Sequence, residues 1–167
     1  IKSKATQGLS ADAILSRVNE DLSLDNPSMM FVTLFLGILN VRTGEVVYCN
    51  GGHPPPYILR GTGEMAPLPT TGGMALGVMG DFQYRCETVK LQKNDTLFLY
   101  SDGVTEANDA RYELFGDERL AAALAGLHHQ SLKTIIDGVM VIIEAFAQNE
   151  PQADDITMLV VRYFGRL

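Results

Sequence analysis

The chain has 167 residues, of which 46% are hydrophobic, and its formal net charge is −7. This length and composition predict one folded domain over residues 1–167 rather than a disordered segment. The negative charge argues against nucleic acid as a partner, because phosphate binding needs a basic surface. The sequence has no apolar stretch long enough for a membrane span and no signal peptide. We therefore expect a cytoplasmic protein.

The two cysteines lack the spacing of a zinc site. Cys49 and Cys86 both lie in strand-like runs. We predict two inert, buried thiols, which suits a reducing cytoplasm.

The first half of the chain predicts a helix followed by hairpins. Ser10 is a suitable N-cap, and Pro27 should stop the helix close to residue 25. Residues 30–40 read as a strand buried on both faces. A short loop at 41–44 joins it to a second strand at 45–49, in the manner of a hairpin.

The remaining segments add strands and two helices. We predict an irregular loop at 50–56, a strand at 57–60, a Gly- and Pro-rich loop at 65–80, strands at 84–91 and 96–100, helices around 120–127 and after Ser131, and a final strand at 157–163. Hairpins mixed with grouped helices indicate an α+β fold with a largely antiparallel sheet.

Two acidic motifs carry the clearest chemical signal. One is the SDGVTE run at residues 101–106, and the other is DDIT at 154–157. Asp102 follows one strand-like run and Asp154 precedes the next. If those strands pair, the carboxylates meet at one sheet edge, where they could hold a hard divalent cation.

The neighbours of these carboxylates predict supporting roles. Adjacent residues of an extended segment point to opposite faces, so at most one of Asp154 and Asp155 should be a direct ligand. Gly103 allows a sharp turn and a close approach of a ligand. Each motif by itself also fits a plain turn: an Asp-Gly dipeptide in the first case and a solvated acidic turn in the second.

Other polar motifs predict less. His53 lies in a Gly-Gly-His-Pro-Pro-Pro loop, where we favour a structural role over metal binding. The glycine-rich run at 72–77 lacks the Lys-Ser or Lys-Thr of a P-loop. No Ser-His-Asp or Cys-His arrangement is readable, so no catalytic side chain is assigned.

Six motifs taken in order resemble the SpoIIE/RsbU branch of the PPM (type 2C) metal-dependent serine/threonine protein phosphatases. They are FVTL at 31–34, NGGHPPP at 50–56, GMALG at 73–77, YSDGVTEA at 100–107, LFG at 114–116 and DDIT at 154–157. The resemblance implies two packed antiparallel β-sheets flanked by helices (an αββα sandwich). It also implies two Mn²⁺ or Mg²⁺ ions between the sheets, which activate a water that attacks the phosphoester.

Matched motif by motif, the resemblance makes Asp102 and Asp154 metal ligands, with Asp155 and Gly103 in supporting positions. The sequence departs from the family at its start, where the Gly-Gly-Asp strand and a Gly-Asp-x-x-Gly-x-Gly segment are not found. We therefore expect an N-terminally incomplete domain that lacks strands and has an incomplete metal site. Such a chain should bind metal weakly, turn over little, and expose sheet edges that favour a homodimer.

The resemblance also implies a biological role. The substrate would be a phosphorylated STAS-type anti-anti-sigma protein in a partner-switching stress-response pathway. The parent chain would carry an N-terminal sensor or receiver domain. Two alternatives stay open: a non-catalytic regulatory or binding module with the PPM fold, and a magnesium-dependent phosphohydrolase of small molecules.

Overall fold

The computed structural model describes residues 1, 8–148 and 150–165. These residues form three α-helices, seven β-strands and one short 3₁₀ turn. The helices are α1 (Ala11–Ser23), α2 (Gly116–Leu127) and α3 (Leu132–Ala147). The strands are β1 (Leu34–Asn40), β2 (Glu45–Gly51), β3 (Tyr57–Leu59), β4 (Met65–Pro67), β5 (Cys86–Lys90), β6 (Thr96–Tyr100) and β7 (Met158–Arg162).

The chain divides into two compact units, each with its own antiparallel sheet. The first unit, Ile1–Pro55 with Pro69–Leu91, holds α1 and a sheet in the order β1-β2-β5. The second, Pro56–Leu68 with Gln92–Gly165, holds α2, α3 and a sheet in the order β4-β3-β6-β7. The predicted α+β class with two antiparallel sheets and accompanying helices is confirmed. Its description as one domain stays a prediction.

The β1–β2 hairpin forms where the sequence predicts it. Asn40 is paired with Glu45, which leaves residues 41–44 as the loop. Gly44 has φ 75°, a left-handed conformation that costs glycine little, and its N–H donates to the Asn40 carbonyl at 2.8 Å.

The strand predicted at 30–40 is shorter than expected and is not buried on both faces. β1 begins at Leu34, while Met30 and Phe31 are 73% and 63% exposed. The Asn26 side chain donates to the Met30 carbonyl at 2.7 Å and accepts from the Met30 N–H at 2.9 Å. Because this side chain satisfies both backbone groups, Met30 needs no ladder partner.

Helix α1 contributes buried apolar residues to the core of the first unit. Ala11 and Leu15 are buried beside Cys49, Leu76 and Tyr84. Its end agrees with the sequence, since the helix stops at Ser23.

A buried polar residue of α1 was missed by the sequence reading. The Asn19 amide donates to the carbonyls of Met79 and Gly80 at 2.7 and 3.1 Å, and its oxygen accepts from the Gly77 N–H at 2.9 Å. Asn19 is fully buried, so these bonds offset its desolvation and fix the 77–80 loop to the helix.

The prediction of two separate thiols is wrong. Cys49 and Cys86 are directly opposite each other in the β2–β5 ladder and form a disulfide. Opposite residues of an antiparallel pair have Cβ atoms about 4.5–5.5 Å apart, close to the range a disulfide spans. The two cysteines are 37 positions apart in the chain. The sequence alone does not show that these two positions face each other, because it does not give the register of the β2–β5 pair.

The core of the second unit lies between its sheet and its two helices. Phe98 from β6 is fully buried, together with Leu120 and Leu124 from α2 and Ile135 and Val139 from α3. The predicted cap of α3 is present, because the Ser131 hydroxyl accepts from the Thr134 N–H at 3.1 Å.

The Gly- and Pro-rich stretch predicted to be loop contains one strand. β4 pairs with β3 through Met65, Ala66 and Pro67 at the edge of its sheet. An edge position tolerates proline because one side of the strand needs no donor. Among the described residues, no helix is long and apolar enough to cross a membrane.

The disulfide generates the first prediction. Reducing Cys49–Cys86 should lower the free energy of unfolding by about 2–4 kcal/mol, because the bridge restricts the unfolded chain. Urea denaturation with and without a phosphine reductant measures the difference. The Cys49→Ser/Cys86→Ser variant is the control, since its denaturation curve should not respond to reductant. Identical curves for the oxidised and reduced parent chain would contradict the prediction.

Candidate functional site

The two acidic motifs lie at the same end of the second unit's sheet. β6 and β7 are antiparallel, with Tyr100 opposite Met158. Asp102 opens the 3₁₀ turn that follows β6, while Asp154 and Asp155 lie in the segment that leads into β7. The strand pairing on which the sequence argument depended is therefore present.

Ser101 fastens the two motifs together beyond the ends of the strands. Its N–H donates to the Thr157 carbonyl at 2.9 Å, and its hydroxyl donates to the Asp155 carbonyl at 2.8 Å. The Thr157 N–H in turn donates to the Ser101 hydroxyl oxygen at 2.8 Å. The sequence reading assigned Ser101 no role, although its place beside Asp102 in the motif was the available signal.

Glycine is required at position 103 because neighbouring backbone atoms lie close to it, and not because its φ is positive. A Cβ atom at this position would lie 2.6 Å from the Asp155 carbonyl oxygen and 2.9 Å from that of Asp154. Such distances are shorter than real Cβ contacts, so a side chain here would push the two motifs apart. The group close to Gly103 is the backbone of the second motif, and the close approach of a ligand stays a prediction.

Among the described residues, no cationic side chain forms an ion pair with Asp102, Asp154 or Asp155. Asp102 is half-buried, and Asp154 and Asp155 are exposed. One Asp102 oxygen accepts from the Gly103 N–H at 3.1 Å, and one Asp154 oxygen accepts from the Asp155 N–H at 2.6 Å.

This donor set fits a hard divalent cation in its chemistry. Carboxylate oxygens are the ligands that Mg²⁺ and Mn²⁺ prefer, and neighbouring carboxylates repel one another until a cation neutralises them. In the part of the chain that the structure describes, no group of three or more His, Cys, Asp and Glu side chains is arranged to hold a metal ion.

The His53 motif of the first unit has the contacts of a shaped loop. The Asn50 side-chain oxygen accepts from the His53 N–H at 2.8 Å, and its amide donates to the His53 carbonyl at 2.7 Å. The His53 ring nitrogen Nδ1 is 3.1 Å from the Pro54 carbonyl. Gly73 lies so close to the Asn50 carbonyl that no Cβ fits there. These contacts support the structural role predicted for His53.

Tyr100 ties the end of β6 to the first turn of α2. Its hydroxyl donates to an Asp117 carboxylate oxygen at 3.2 Å. Burial raises the pKa of Tyr100 far above its ordinary value, and the charge of Asp117 and the neighbouring Tyr57 raise it further. The phenol therefore stays protonated and keeps donating this bond up to strongly alkaline pH.

The contact at Gly103 predicts a specific destabilisation. Gly103→Ala should lower the free energy of unfolding by about 1–3 kcal/mol, because the added methyl group overlaps the Asp155 carbonyl. Gly126→Ala is the matched control. Nothing lies within 4 Å of a Cβ at this helical position, so alanine should stabilise α2 by about 0.5–1 kcal/mol. Thermal denaturation followed by circular dichroism measures both, and equal effects would refute the close-contact argument.

Comparison with known proteins gives a family and a fold. The family model described as stage II sporulation protein E (SpoIIE) matches residues 1–164. The chain is 34% identical over 145 residues to protein IcfG of Synechocystis sp., which covers 86% of this chain and 22% of that protein. It is 23% identical over 158 residues to the phosphoserine phosphatase RsbU of Bacillus subtilis, which covers 93% of this chain and 46% of RsbU. The chain thus spans less than half the length of these two relatives.

A solved structure agrees on the architecture. The PP2C phosphatase domain of Bacillus subtilis SpoIIE, solved with a fragment of its regulatory domain, aligns with a TM-score of 0.80 at 21% identity. The alignment covers 96% of this chain and 46% of that one. At this identity the likeness supports the fold, while the family match carries the classification. The chain belongs to the SpoIIE family, the SpoIIE/RsbU branch of the PPM phosphatases.

Proposed function

We propose that this chain acts in the metal-dependent hydrolysis of phosphoserine or phosphothreonine on a regulatory protein. The observation that carries the proposal is the close approach of two acidic motifs of a phosphatase family, which Ser101 joins by hydrogen bonds and which leaves no room for a side chain at Gly103. RsbU, whose alignment covers 93% of this chain, is a phosphoserine phosphatase.

The roles follow from the position of each residue. Asp102 and Asp154 would hold Mn²⁺ or Mg²⁺ through their carboxylate oxygens, with Asp155 orienting its neighbours. When bound, a metal pair lowers the pKa of a water and neutralises phosphoryl oxygens. Ser101 and Gly103 fix the backbone from which the carboxylates project. No side chain is assigned as a general acid or base.

The substrate proposed from the family is a phosphorylated STAS-type protein of a partner-switching pathway. An acidic chain with a net charge of −7 repels free phosphate esters at long range. Productive binding therefore needs a cation at the site together with protein contacts beyond the phosphate. A folded phosphoprotein supplies such contacts, whereas a small phosphate ester does not.

Substitution of the three aspartates should distinguish residues that bind the metal directly from a residue that supports them. In the complete family domain, Asp102→Asn and Asp154→Asn should each weaken Mn²⁺ binding and Mn²⁺-dependent phosphate release by about 100-fold or more, because each removes an anionic donor. Asp155→Asn should cost about tenfold, as for a residue that orients a ligand. Titration calorimetry with Mn²⁺ and phosphate release from phosphoserine peptides and p-nitrophenyl phosphate give the two readouts.

Asp81→Asn is the control, since Asp81 is an exposed carboxylate of the first unit. Near-parental Mn²⁺ binding by Asp102→Asn or Asp154→Asn would show that the ligand assignment is wrong. Mn²⁺ binding without phosphate release from any probe would favour the non-catalytic module. Release from p-nitrophenyl phosphate alone would favour a small-molecule phosphohydrolase.

A further inference from the structure

A groove in the second unit adjoins the acidic motifs and has a volume of about 260 Å³. Its lining includes Ala107, which directly follows the first acidic motif, and Ile156, which lies in the second. Met140, Ile143 and Ala147, from one side of α3, complete its apolar part. The groove is therefore continuous with the segments that carry Asp102 and Asp154.

The size of the groove selects the kind of occupant. Sites for small organic ligands usually occupy roughly 300–1,000 Å³ and enclose most of the ligand. A volume of about 260 Å³ is below that range and suits one or two side chains of a peptide or protein segment. The apolar lining from α3 favours an aliphatic side chain.

The charge at the groove selects a basic partner. Glu144 and Glu150 line it, and neither forms an ion pair within the described part of the chain. Glu144 lies in the last turn of α3, which has no basic residue there. A helix C-terminus carries partial negative charge, which a neighbouring carboxylate reinforces. A cationic side chain of a partner would offset the negative charge of Glu144 and that of the helix C-terminus.

Gln152 connects the groove to the proposed metal site. It lines the groove, and its side-chain amide donates to the Asp154 carbonyl at 2.5 Å. A segment bound in the groove would therefore lie next to the backbone that positions a proposed ligand.

We propose that this groove docks a segment of the phosphoprotein substrate that carries a Lys or Arg next to an aliphatic residue, while its phosphorylated residue occupies the neighbouring site. The inference rests on the proposed phosphatase function. It adds a specificity element for protein substrates, which a small phosphate ester cannot use.

Binding of phosphoserine peptides tests the groove without requiring turnover. Fluorescence anisotropy would measure the binding of a series of peptides in which an Arg-Leu pair lies at successive positions relative to phosphoserine. Each peptide is compared with an analogue in which Glu-Ser replaces Arg-Leu. At one spacing the Arg-Leu peptide should bind about fivefold more tightly or better, the effect of two partly exposed ion pairs. The preference should weaken in Glu144→Gln/Glu150→Gln, which keeps only the apolar contact of the leucine, and persist unchanged in the control Glu118→Gln, an exposed carboxylate of α2.

The outcomes separate the groove from the phosphatase proposal. Equal binding of the Arg-Leu and Glu-Ser peptides at every spacing, or an unchanged preference in Glu144→Gln/Glu150→Gln, would overturn the inference. A dimer in sedimentation velocity that dissociates in this variant would overturn it too, since a second copy would then occupy the groove. Hydrolysis of p-nitrophenyl phosphate with Mn²⁺ should be equal in the parent and the variant. Absence of this hydrolysis in both, measured in the complete family domain, would count against the phosphatase function alone.

Discussion

The antiparallel pairing of β6 with β7 creates the candidate site, because it brings together two motifs that are far apart in the chain. The ladder runs from Thr96–Arg162 to Tyr100–Met158. In an antiparallel pair the end of one strand lies beside the start of the other, so Asp102 and Asp154 are brought to the same sheet end. Ser101 extends this pairing by backbone and side-chain hydrogen bonds to Thr157 and Asp155. The position of the carboxylates therefore depends on β-sheet geometry.

The hydrogen bonds of Ser101 outweigh the repulsion between the carboxylates. Two like charges 4 Å apart in water repel by about 1 kcal/mol, and less where salt screens them. Ser101 makes three hydrogen bonds to the second motif, and each contributes about 0.5–1.5 kcal/mol net. The motifs can thus be held together before a cation binds. Gly103 is part of the same arrangement, since a larger residue would separate the segments that Ser101 joins.

Helix α3 links the core to the proposed recognition surface. Ile135 and Val139 are fully buried in the core of the second unit, while Met140 and Ala147 line the groove. A rigid, well-packed helix is a suitable support for recognition, because the protein then loses little conformational entropy when a segment docks. The same helix ends beside the segment that leads into Asp154, so the proposed substrate contacts and the proposed metal ligands share one framework.

The sequence alone determined the features that depend on local pattern. Ser131 predicted the start of α3, the short loop at 41–44 predicted the hairpin, and the ordered motifs indicated the family and singled out Asp102 and Asp154. Only the tertiary structure decided which distant residues meet.

The Cys49–Cys86 bridge, the buried Asn19 anchor, the groove beside Ala107 and Ile156, and the role of Ser101 all depend on contacts across long stretches of chain. Local propensity cannot encode these contacts, because it does not fix which strands pair or in which register.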